Sequence, residues 1–231
     1  MAPQLTRVFI SAVAIGLGVA LSITSFRMGR ADWLFSRSMH SMAGWAAQSA
    51  RPDFESWLEV RRDLTRAVQF EPDDPRVLES LGVLHAGREA PVGNDRSGFQ
   101  EQARDYLRRT AAARPTSPYT WANLAMVKYR LGETDEEFRN ALRQAAAYGP
   151  WEWEVQGVIA DIGLAVFPEL NASDRHLVET MLFNGMRRNP AETLRISQRR
   201  GSLSMACKML DREAKRLDPK LARQCDERER R

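Results

Sequence analysis

Residues Pro118–Pro150 read PYTWANLAMVKYRLGETDEEFRNALRQAAAYGP, and this stretch has the pattern of two short helices joined by a tight turn. Apolar residues recur every three or four positions on both sides of Leu131-Gly132, which is the spacing of one helix face. A helix pair of this length buries one apolar face and leaves another uncovered. It therefore requires neighbours of the same kind, and internal repetition is the pattern to look for first.

The sequence does repeat itself. Thr65–Gly82 and Arg108–Ala125 align without a gap, and the alignment superimposes Pro72 on Pro115. An apolar residue lies eight positions before each of four prolines, in the pairs Leu64 and Pro72, Leu107 and Pro115, Leu142 and Pro150, and Leu182 and Pro190. With Pro219 as a weaker fifth instance, successive prolines are 43, 35, 40 and 29 residues apart. The pattern predicts an array of helix pairs.

The repeating unit resembles the tetratricopeptide repeat (TPR), a helix–turn–helix unit of about 34 residues that ends in a proline. Trp121 and Leu124 match the first-helix motif of that family, and Gly132 matches its turn. Lys128 departs from the motif, because the family has an aromatic residue near this position. The resemblance implies an all-α fold of degenerate TPR-like repeats, an α-solenoid. An irregular helical bundle is the alternative.

The N-terminal segment Val8–Phe26 has 19 residues without a charge or a proline. At ~1.5 Å per residue it is about long enough to cross a bilayer core of ~30 Å. A retained transmembrane helix is favoured over a cleaved signal peptide, because Thr24–Arg27 makes a poor cleavage site. The predicted domains are the anchor (1–29), the TPR-like repeats (30–218) and a charged C-terminal capping helix (219–231).

Two features bear on the membrane topology, and they disagree. Arg7 precedes the apolar segment, whereas several arginines follow it, so the positive-inside rule leans slightly towards a cytoplasmic C-terminal part. Cys207 and Cys225 lie on either side of Asp218-Pro219, and a hairpin there brings them close enough for a disulfide. A disulfide implies an oxidising compartment; the alternative is a buried Cys207 and an unpaired Cys225. We predict a single-pass protein of the bacterial inner membrane with a periplasmic soluble part.

The resemblance also implies a partner-binding face on the first helices of the repeats. In the family, the asparagine just before the Leu-Gly pair clamps the backbone of a ligand; Asn123 holds this position, and Ser80 holds it one repeat earlier. Helical phase places further residues on the same face. The predicted contact patch comprises Arg76, Glu79, Ser80, Val83, Tyr119, Asn123, Met126, Tyr129 and Arg130. Trp151 and Trp153 lie about 200° apart on a helix, so we expect one in the core and the other partly exposed.

Several function classes lack their sequence features. The net charge is +4 with acids and bases interspersed, and no basic stripe with interleaved aromatic residues indicates nucleic-acid binding. His40, His85 and His176 have no metal-ligand spacing, and no phosphate-binding loop or nucleophile motif occurs. We therefore expect no metal, no cofactor, no small-molecule substrate and no catalytic residues. The competing hypothesis is an enzyme acting on glycans through Glu152, Glu154 or Asp161.

The predicted function is that of a membrane-anchored scaffold or adaptor that binds other proteins. The layout of one anchor followed by degenerate repeats resembles accessory proteins of bacterial exopolysaccharide assembly, such as the VpsP family. That resemblance implies an accessory role in exopolysaccharide biosynthesis or export, with membrane-associated assembly components as partners. The same layout also suits an assembly factor for cytochromes, pili or secretion machinery.

Overall fold

The computed structural model describes residues 2–88 and 96–213, with side chains from 9 to 88 and from 98 to 208. The described residues contain helices and no strands, so the predicted all-α class is confirmed for them. The predicted capping helix (219–231) lies outside the described residues. The helices are α1 (Ala2–Ala47), α2 (Phe54–Phe70), α3 (Pro75–Ala86), α4 (Arg96–Ala113), α5 (Pro118–Leu131), α6 (Glu136–Tyr148), α7 (Trp153–Ala165), α8 (Ala172–Arg188), α9 (Pro190–Arg199) and α10 (Leu203–Glu213), with a short 3₁₀ turn at Phe167–Glu169.

The chain divides into two compact units, Met1–Leu84 and His85–Arg231. In the first unit, α1 runs for 46 residues without a break. The predicted anchor (1–29) and the start of the predicted repeats therefore belong to one continuous helix. From residue 9 to residue 30 every side chain of α1 is exposed, whereas Ala31, Leu34 and Ser38 are buried at helical spacing. Among the described residues, α1 is the one helix long and apolar enough to span a membrane.

The second half of α1 packs against α2, and the two helices are antiparallel. Arg27 of α1 donates from Nη2 to the carbonyl of Phe70 at 3.2 Å, at the last residue of α2. Ten residues later along α1, Arg37 pairs with Glu59 and lies 3.5 Å from Asp63, about three and two turns before Phe70 in α2. The ends of α2 are therefore fixed relative to α1, with Phe70 beside Arg27.

Local signals in the sequence set the bounds of α2 and α3. Asp53 caps α2, because its carboxylate accepts a hydrogen bond from the amide of Ser56 at 2.9 Å. The sequence Pro72-Asp73-Asp74-Pro75 separates the two helices, and α3 begins at Pro75, where a proline fits the first turn of a helix. Trp57 is buried in the face of α2, and its indole donates to the carbonyl of Leu84 at 3.2 Å.

In the second unit, α5 to α10 follow a regular order of contacts. Each of α5 to α8 packs against the next helix and the one after it in the chain. The helices form three hairpins, α5 with α6, α7 with α8, and α9 with α10. Their shared core contains large side chains with almost no exposed surface, among them Phe138, Leu142, Ile159, Met181 and Leu182.

The turns and caps of the second unit follow the sequence closely. Gly132 ends α5 with φ of +75°, a left-handed conformation that glycine adopts without a steric penalty. Asn171 caps α8, because its side chain accepts a hydrogen bond from the amide of Asp174 at 2.9 Å. Gly163 allows α7 to approach α8 closely, because a Cβ atom at this residue would lie 2.5 Å from Cγ2 of Val178.

Lys128, the residue that departs from the family motif, lies at the centre of an ion-pair network. Its side chain has no exposed surface, and Nζ donates to Glu133 at 2.7 Å, to Asp135 at 3.0 Å and to Glu137 at 2.7 Å. Burial alone lowers the pKa of Lys128, but the three carboxylates outweigh it and raise that pKa. Hydrogen bonds from Arg108 and then from Lys128 lower the pKa of Glu137 to about 2. The network joins α4, α5 and the start of α6.

Candidate functional site

A groove of about 550 Å³ opens on the face of the second unit where α5, α7 and α9 lie side by side. These are the first helices of the three hairpins. The apolar part of its lining consists of Met126 from α5, Trp153 and Val158 from α7, and Ile196 from α9. Trp153 is 51% exposed, which is a large fraction for an indole ring. Such a cleft offers apolar contact surface with one large aromatic side chain at its rim.

Gly157 lies in the lining between Trp153 and Asp161, and it keeps the middle of the groove open. A Cβ atom at this residue would lie 3.7 Å from Cδ1 of Ile196, which is an ordinary van der Waals distance. The space beside Gly157 is therefore wide enough for a methyl group but not for a long side chain that extends further towards α9.

Asp161 and Arg199 of the groove lining belong to a set of paired charges. The carboxylate of Asp161 accepts hydrogen bonds from Arg200 through Nε at 2.9 Å and Nη2 at 3.0 Å, and from Arg199 at 2.9 Å. Arg200 also donates to the hydroxyl of Tyr129 at 3.3 Å, and its guanidinium lies over the Tyr129 ring. These contacts tie the end of α9 to α7 and α5.

The charges on Asp161 bear on the hypothesis of a glycan-acting enzyme. Burial raises the pKa of Asp161, but hydrogen bonds from Arg200 and Arg199 outweigh it, and the net pKa is lowered. A general acid in glycoside hydrolysis requires a raised pKa, so the shift has the opposite sign. Glu152 accepts a hydrogen bond from the hydroxyl of Tyr119 at 2.7 Å, and Glu154 is exposed beside Trp153. The ion pairs of Asp161 therefore favour its carboxylate form.

Exposed aromatic residues surround the start of α7. Trp151 is 57% exposed, and it lies in the turn before the helix, which begins at Trp153. The expectation that one of the two tryptophans packs into the core is therefore wrong, because the 200° separation assumed that both belong to one helix. Tyr119 of α5 is also exposed, and its hydrogen bond to Glu152 ties the start of α5 to that of α7.

The α5 residues of the predicted contact patch lie in the second unit. Met126 lines the groove, while Tyr129 is half-buried under the guanidinium of Arg200. Arg130 donates from Nη1 to the carbonyl of Ala86 at 2.7 Å, so part of its bonding capacity serves the fold. Asn123, the predicted backbone clamp, is half-buried. Of these residues, only Met126 is part of the groove lining.

The α3 residues of the predicted patch lie in the first unit. Arg76 is exposed and paired with Asp74 at 2.9 Å and with Asp32 at 3.3 Å. Ser80 is buried, and its hydroxyl contacts the sulfur of Met39 at 3.3 Å. Glu79 is half-buried and Val83 is 39% exposed. Burial leaves the Ser80 hydroxyl little access to a ligand.

Two further expectations concern metal binding and the pairing of the two cysteines. Within the described ranges, no group of three or more His, Cys, Asp or Glu side chains is arranged to hold a metal ion. Cys207 is buried in α10, whereas Cys225 lies outside the described residues. The proposed pairing of the two cysteines therefore stays a prediction.

Most residues that line the groove were not predicted from the sequence. Val158, Ile196, Arg195 and Arg199 were not among the predicted contact residues, because α7 and α9 carry few of the motif residues that identify α5. In the sequence, Met126 of the predicted contact patch and the closely spaced Trp151 and Trp153 pointed to this face. Comparison with known proteins gives no assignment: no model of a protein family matches the chain, and no curated protein matches it either.

Proposed function

We propose that this chain is a membrane-anchored adaptor that holds a protein partner in the groove formed by α5, α7 and α9. The observation that carries the proposal is the groove itself, where apolar side chains lie beside charged ones and Trp153 is half exposed at the rim. Aromatic residues beside well-formed apolar clefts are enriched among the residues that dominate protein–protein binding. Asp161 in the lining is held in ion pairs with Arg199 and Arg200, which suits a surface that binds rather than reacts.

The second unit is proposed to be a degenerate array of TPR-like repeats. The order of contacts from α5 to α10 supports this, since stacked hairpins contact their nearest neighbours along the chain. The left-handed turn at Gly132 matches the tight turn inside such a hairpin. In repeat arrays of this kind the first helices form the binding face, and in this chain the first helices line the groove.

The first half of α1 is proposed to be a single membrane span in a bacterial inner membrane, with the second unit in the periplasm. Apolar side chains such as Phe9, Ile15 and Leu21 are more than half exposed, which water disfavours and lipid does not. A reporter enzyme that is active on only one side of the membrane, fused after Arg231, tests the orientation. Activity on the cytoplasmic side would contradict the periplasmic assignment.

The partner is proposed to be a membrane-associated component of exopolysaccharide assembly, and photocrosslinking in the native host tests the groove. p-Benzoylphenylalanine at Met126 or Trp153 samples the groove, while the same residue at Thr180, exposed on α8, samples a second helix of the hairpins. We expect one defined protein adduct from Met126 and Trp153 and none from Thr180. Mass spectrometry of the adduct then identifies the partner and its pathway.

A matched pair of substitutions links the adduct to the groove. Gly157→Leu fills the space beside Ile196, so we expect it to reduce the adduct at least tenfold. Gly157→Ala adds one methyl group at an ordinary contact distance and should leave the adduct unchanged. Equal adducts from Met126 and Thr180, or no effect of Gly157→Leu, would contradict the proposal.

A further inference from the structure

Two walls of the groove are stripes of residues on α7 and α9 that have the same helical spacing. Both stripes occupy positions i, i+3, i+4 and i+7, which lie on one face of a helix. They consist of Glu154, Gly157, Val158 and Asp161 on α7, and of Glu192, Arg195, Ile196 and Arg199 on α9. Each wall therefore has a charged side chain at both ends and an aliphatic side chain between them.

The two helices run in the same direction along the groove. A Cβ atom at Gly157 would lie 3.7 Å from Cδ1 of Ile196, and Asp161 accepts a hydrogen bond from Arg200 at 2.9 Å, so residues 39 apart face each other. The starts of α7 and α9 are therefore level, and we call this the N-terminal end of the groove. The C-terminal end lies at Asp161, about 10 Å away, because the seven residues from Glu154 rise by ~1.5 Å each.

The N-terminal end has an excess of negative charge. Glu192 pairs with Arg195, whereas Glu154 is exposed and has no hydrogen bond or ion pair within the part of the chain that the structure describes. Glu152, directly before α7, adds a second carboxylate. Each helix start is equivalent to about half a positive charge, so the two carboxylates outweigh both starts. Trp153 lies beside Glu154 and is 51% exposed, and the face of an indole ring attracts cations.

The C-terminal end has the opposite excess, because Asp161 is shared by two guanidinium groups. Arg200 uses Nε and Nη2 for Asp161 and Nη1 for Tyr129. Arg199 donates through Nη2 alone, and its side chain is 54% exposed. A guanidinium has five N–H donors, so Arg199 can bind a further carboxylate. The negative end of the α9 dipole offsets only about half of this positive charge.

We propose that the groove binds an amphipathic helix of the partner protein, with a lysine or arginine on its apolar face and an aspartate or glutamate seven residues away. The basic side chain lies against Trp153 and Glu154, and the acidic side chain lies against Arg199. Apolar side chains between them cover Val158 and Ile196. Seven residues of the bound helix span the same ~10 Å as the groove, and both charges then share one face. The inference rests on the proposed function and adds the chemistry of the partner segment.

Selection from a phage library tests this chemistry, with the full chain in non-ionic detergent as the target. The library displays alanine-based peptides of about 20 residues, long enough to form a helix in isolation, with one face randomised. Counter-selection uses Gly157→Leu, in which the new side chain fills the groove. We expect the enriched peptides to have a basic and an acidic residue seven positions apart, with apolar residues between them. Enrichment without these charges, or with charges about three positions apart as in an extended segment, would overturn the inference.

Charge-neutralising variants test each end of the groove, with fluorescence anisotropy of a selected peptide as the measurement. Glu154→Gln should weaken binding about fivefold, and so should replacing the basic residue of the peptide with glutamine. The two changes together should cost no more than either alone, because they remove the same contact. Arg199→Gln should behave in the same way towards the acidic residue of the peptide. Fully additive losses would overturn the assignment of that end.

Two control variants remove a charge outside the groove. Glu101→Gln and Arg188→Gln neutralise exposed side chains of α4 and α8, and both should leave the affinity for the peptide unchanged. A loss with either control equal to that of the matching groove variant would show that net charge, rather than the groove, determines binding, and would overturn the inference. Far-ultraviolet circular dichroism confirms that each variant retains its helix content.

Crosslinking in the native host separates this inference from the proposed function. A defined partner adduct at Met126 and Trp153, without enrichment of the charged pattern, overturns the inference and leaves the proposed function in place. Absence of both the adduct and the enriched peptides overturns both. Equal enrichment of the pattern on the unmodified chain and on Gly157→Leu shows that the peptides bind outside the groove, and this outcome also overturns the inference.

Discussion

The ammonium of Lys128 is completely buried, and it lies 2.7 Å from the carboxylate of Glu137. Glu137 in turn accepts a hydrogen bond from Nε of Arg108 at 2.7 Å. The first contact joins α5 to α6, and the second joins α4 to α6. A buried lysine is stabilising only when its partners are in place, because an unpaired charge in the protein interior is strongly disfavoured. The packing of these three helices therefore depends on the ionisation of the carboxylates.

We expect Lys128→Met to destabilise the protein by about 2 kcal/mol at pH 7, because three partly exposed carboxylates lose their shared cation. The folded-state pKa of Glu137 is about 2, below its ordinary value of 4.5. Its contribution is therefore complete above about pH 4.5 and is lost as the pH falls towards 2. The difference in unfolding free energy between the variant and the wild type should shrink over the same range.

Urea unfolding of the full chain in a non-ionic detergent, followed by circular dichroism, measures the Lys128 effect. Lys208→Met, at an exposed position of α10, is the matched control and should have little effect at any pH. A Lys128→Met effect that is the same at pH 3 and pH 7 would show that the carboxylates do not act through Lys128.

Two glycines of α7 should respond in opposite directions to the same substitution. Gly157→Ala gains helix propensity without a clash, so we expect it to stabilise the protein by about 0.5–1 kcal/mol. Gly163→Ala gains the same propensity, but its Cβ would lie 2.5 Å from Val178. Overpacking of about 1–3 kcal/mol should outweigh the gain. Urea unfolding measures both variants, and a shift of the same sign in both would contradict the close approach of α7 and α8.

The capping and turn residues could be predicted from the sequence because their effects are local. Asp53, Gly132 and Asn171 act on amides or dihedral angles within a few residues of themselves, and Gly132 makes the turn that the sequence indicated. The predicted boundary at residue 29 has a different origin. This boundary follows from the change in composition after the apolar segment. In the structure α1 continues through residue 29, because no helix-breaking pair of residues lies at this position.

The groove and the ion-pair network could not be predicted in this way, because their parts are distant in sequence. Arg108 and Glu137 are 29 residues apart, and Asp161 and Arg200 are 39 apart. A single sequence gives no measure of which charges meet. The Lys128 position was identified only as a departure from the family motif, and its three partners became clear from the packing of α4, α5 and α6.

A buried carboxylate on α8 depends on one arginine of α6. Arg143 binds Asp174 through Nε at 2.7 Å and Nη2 at 3.0 Å, and the Asp174 side chain is 2% exposed. We expect Arg143→Leu to destabilise the protein by about 3 kcal/mol, because it leaves this charge buried and underpaired. Hydrogen exchange of the first turn of α8, measured by mass spectrometry, should rise sharply.

Two further variants separate the ion pair from the packing of the arginine stem. Arg139→Leu removes an arginine paired with the exposed Glu136, and it should destabilise by less than about 1 kcal/mol. Arg143→Leu/Asp174→Leu removes both charges and should be more stable than Arg143→Leu alone, because no unpaired carboxylate remains. A double variant less stable than the single one would contradict this explanation.

Two tryptophans of the first unit should contribute very differently to its stability. Trp57 is 2% exposed and donates to the carbonyl of Leu84, which lies in the last turn of α3, where carbonyls have no partner within the helix. Trp57→Phe removes that hydrogen bond and leaves a small cavity, so we expect the free energy of unfolding to fall by about 1–3 kcal/mol.

Trp33 is 52% exposed, and its ring contacts the guanidinium groups of Arg30 and Arg37. Trp33→Phe should therefore change stability by about 0.5 kcal/mol at most. Hydrogen exchange of α2 and α3 measures both effects, and equal protection in the two variants would show that Trp57 does not hold α2 against α3.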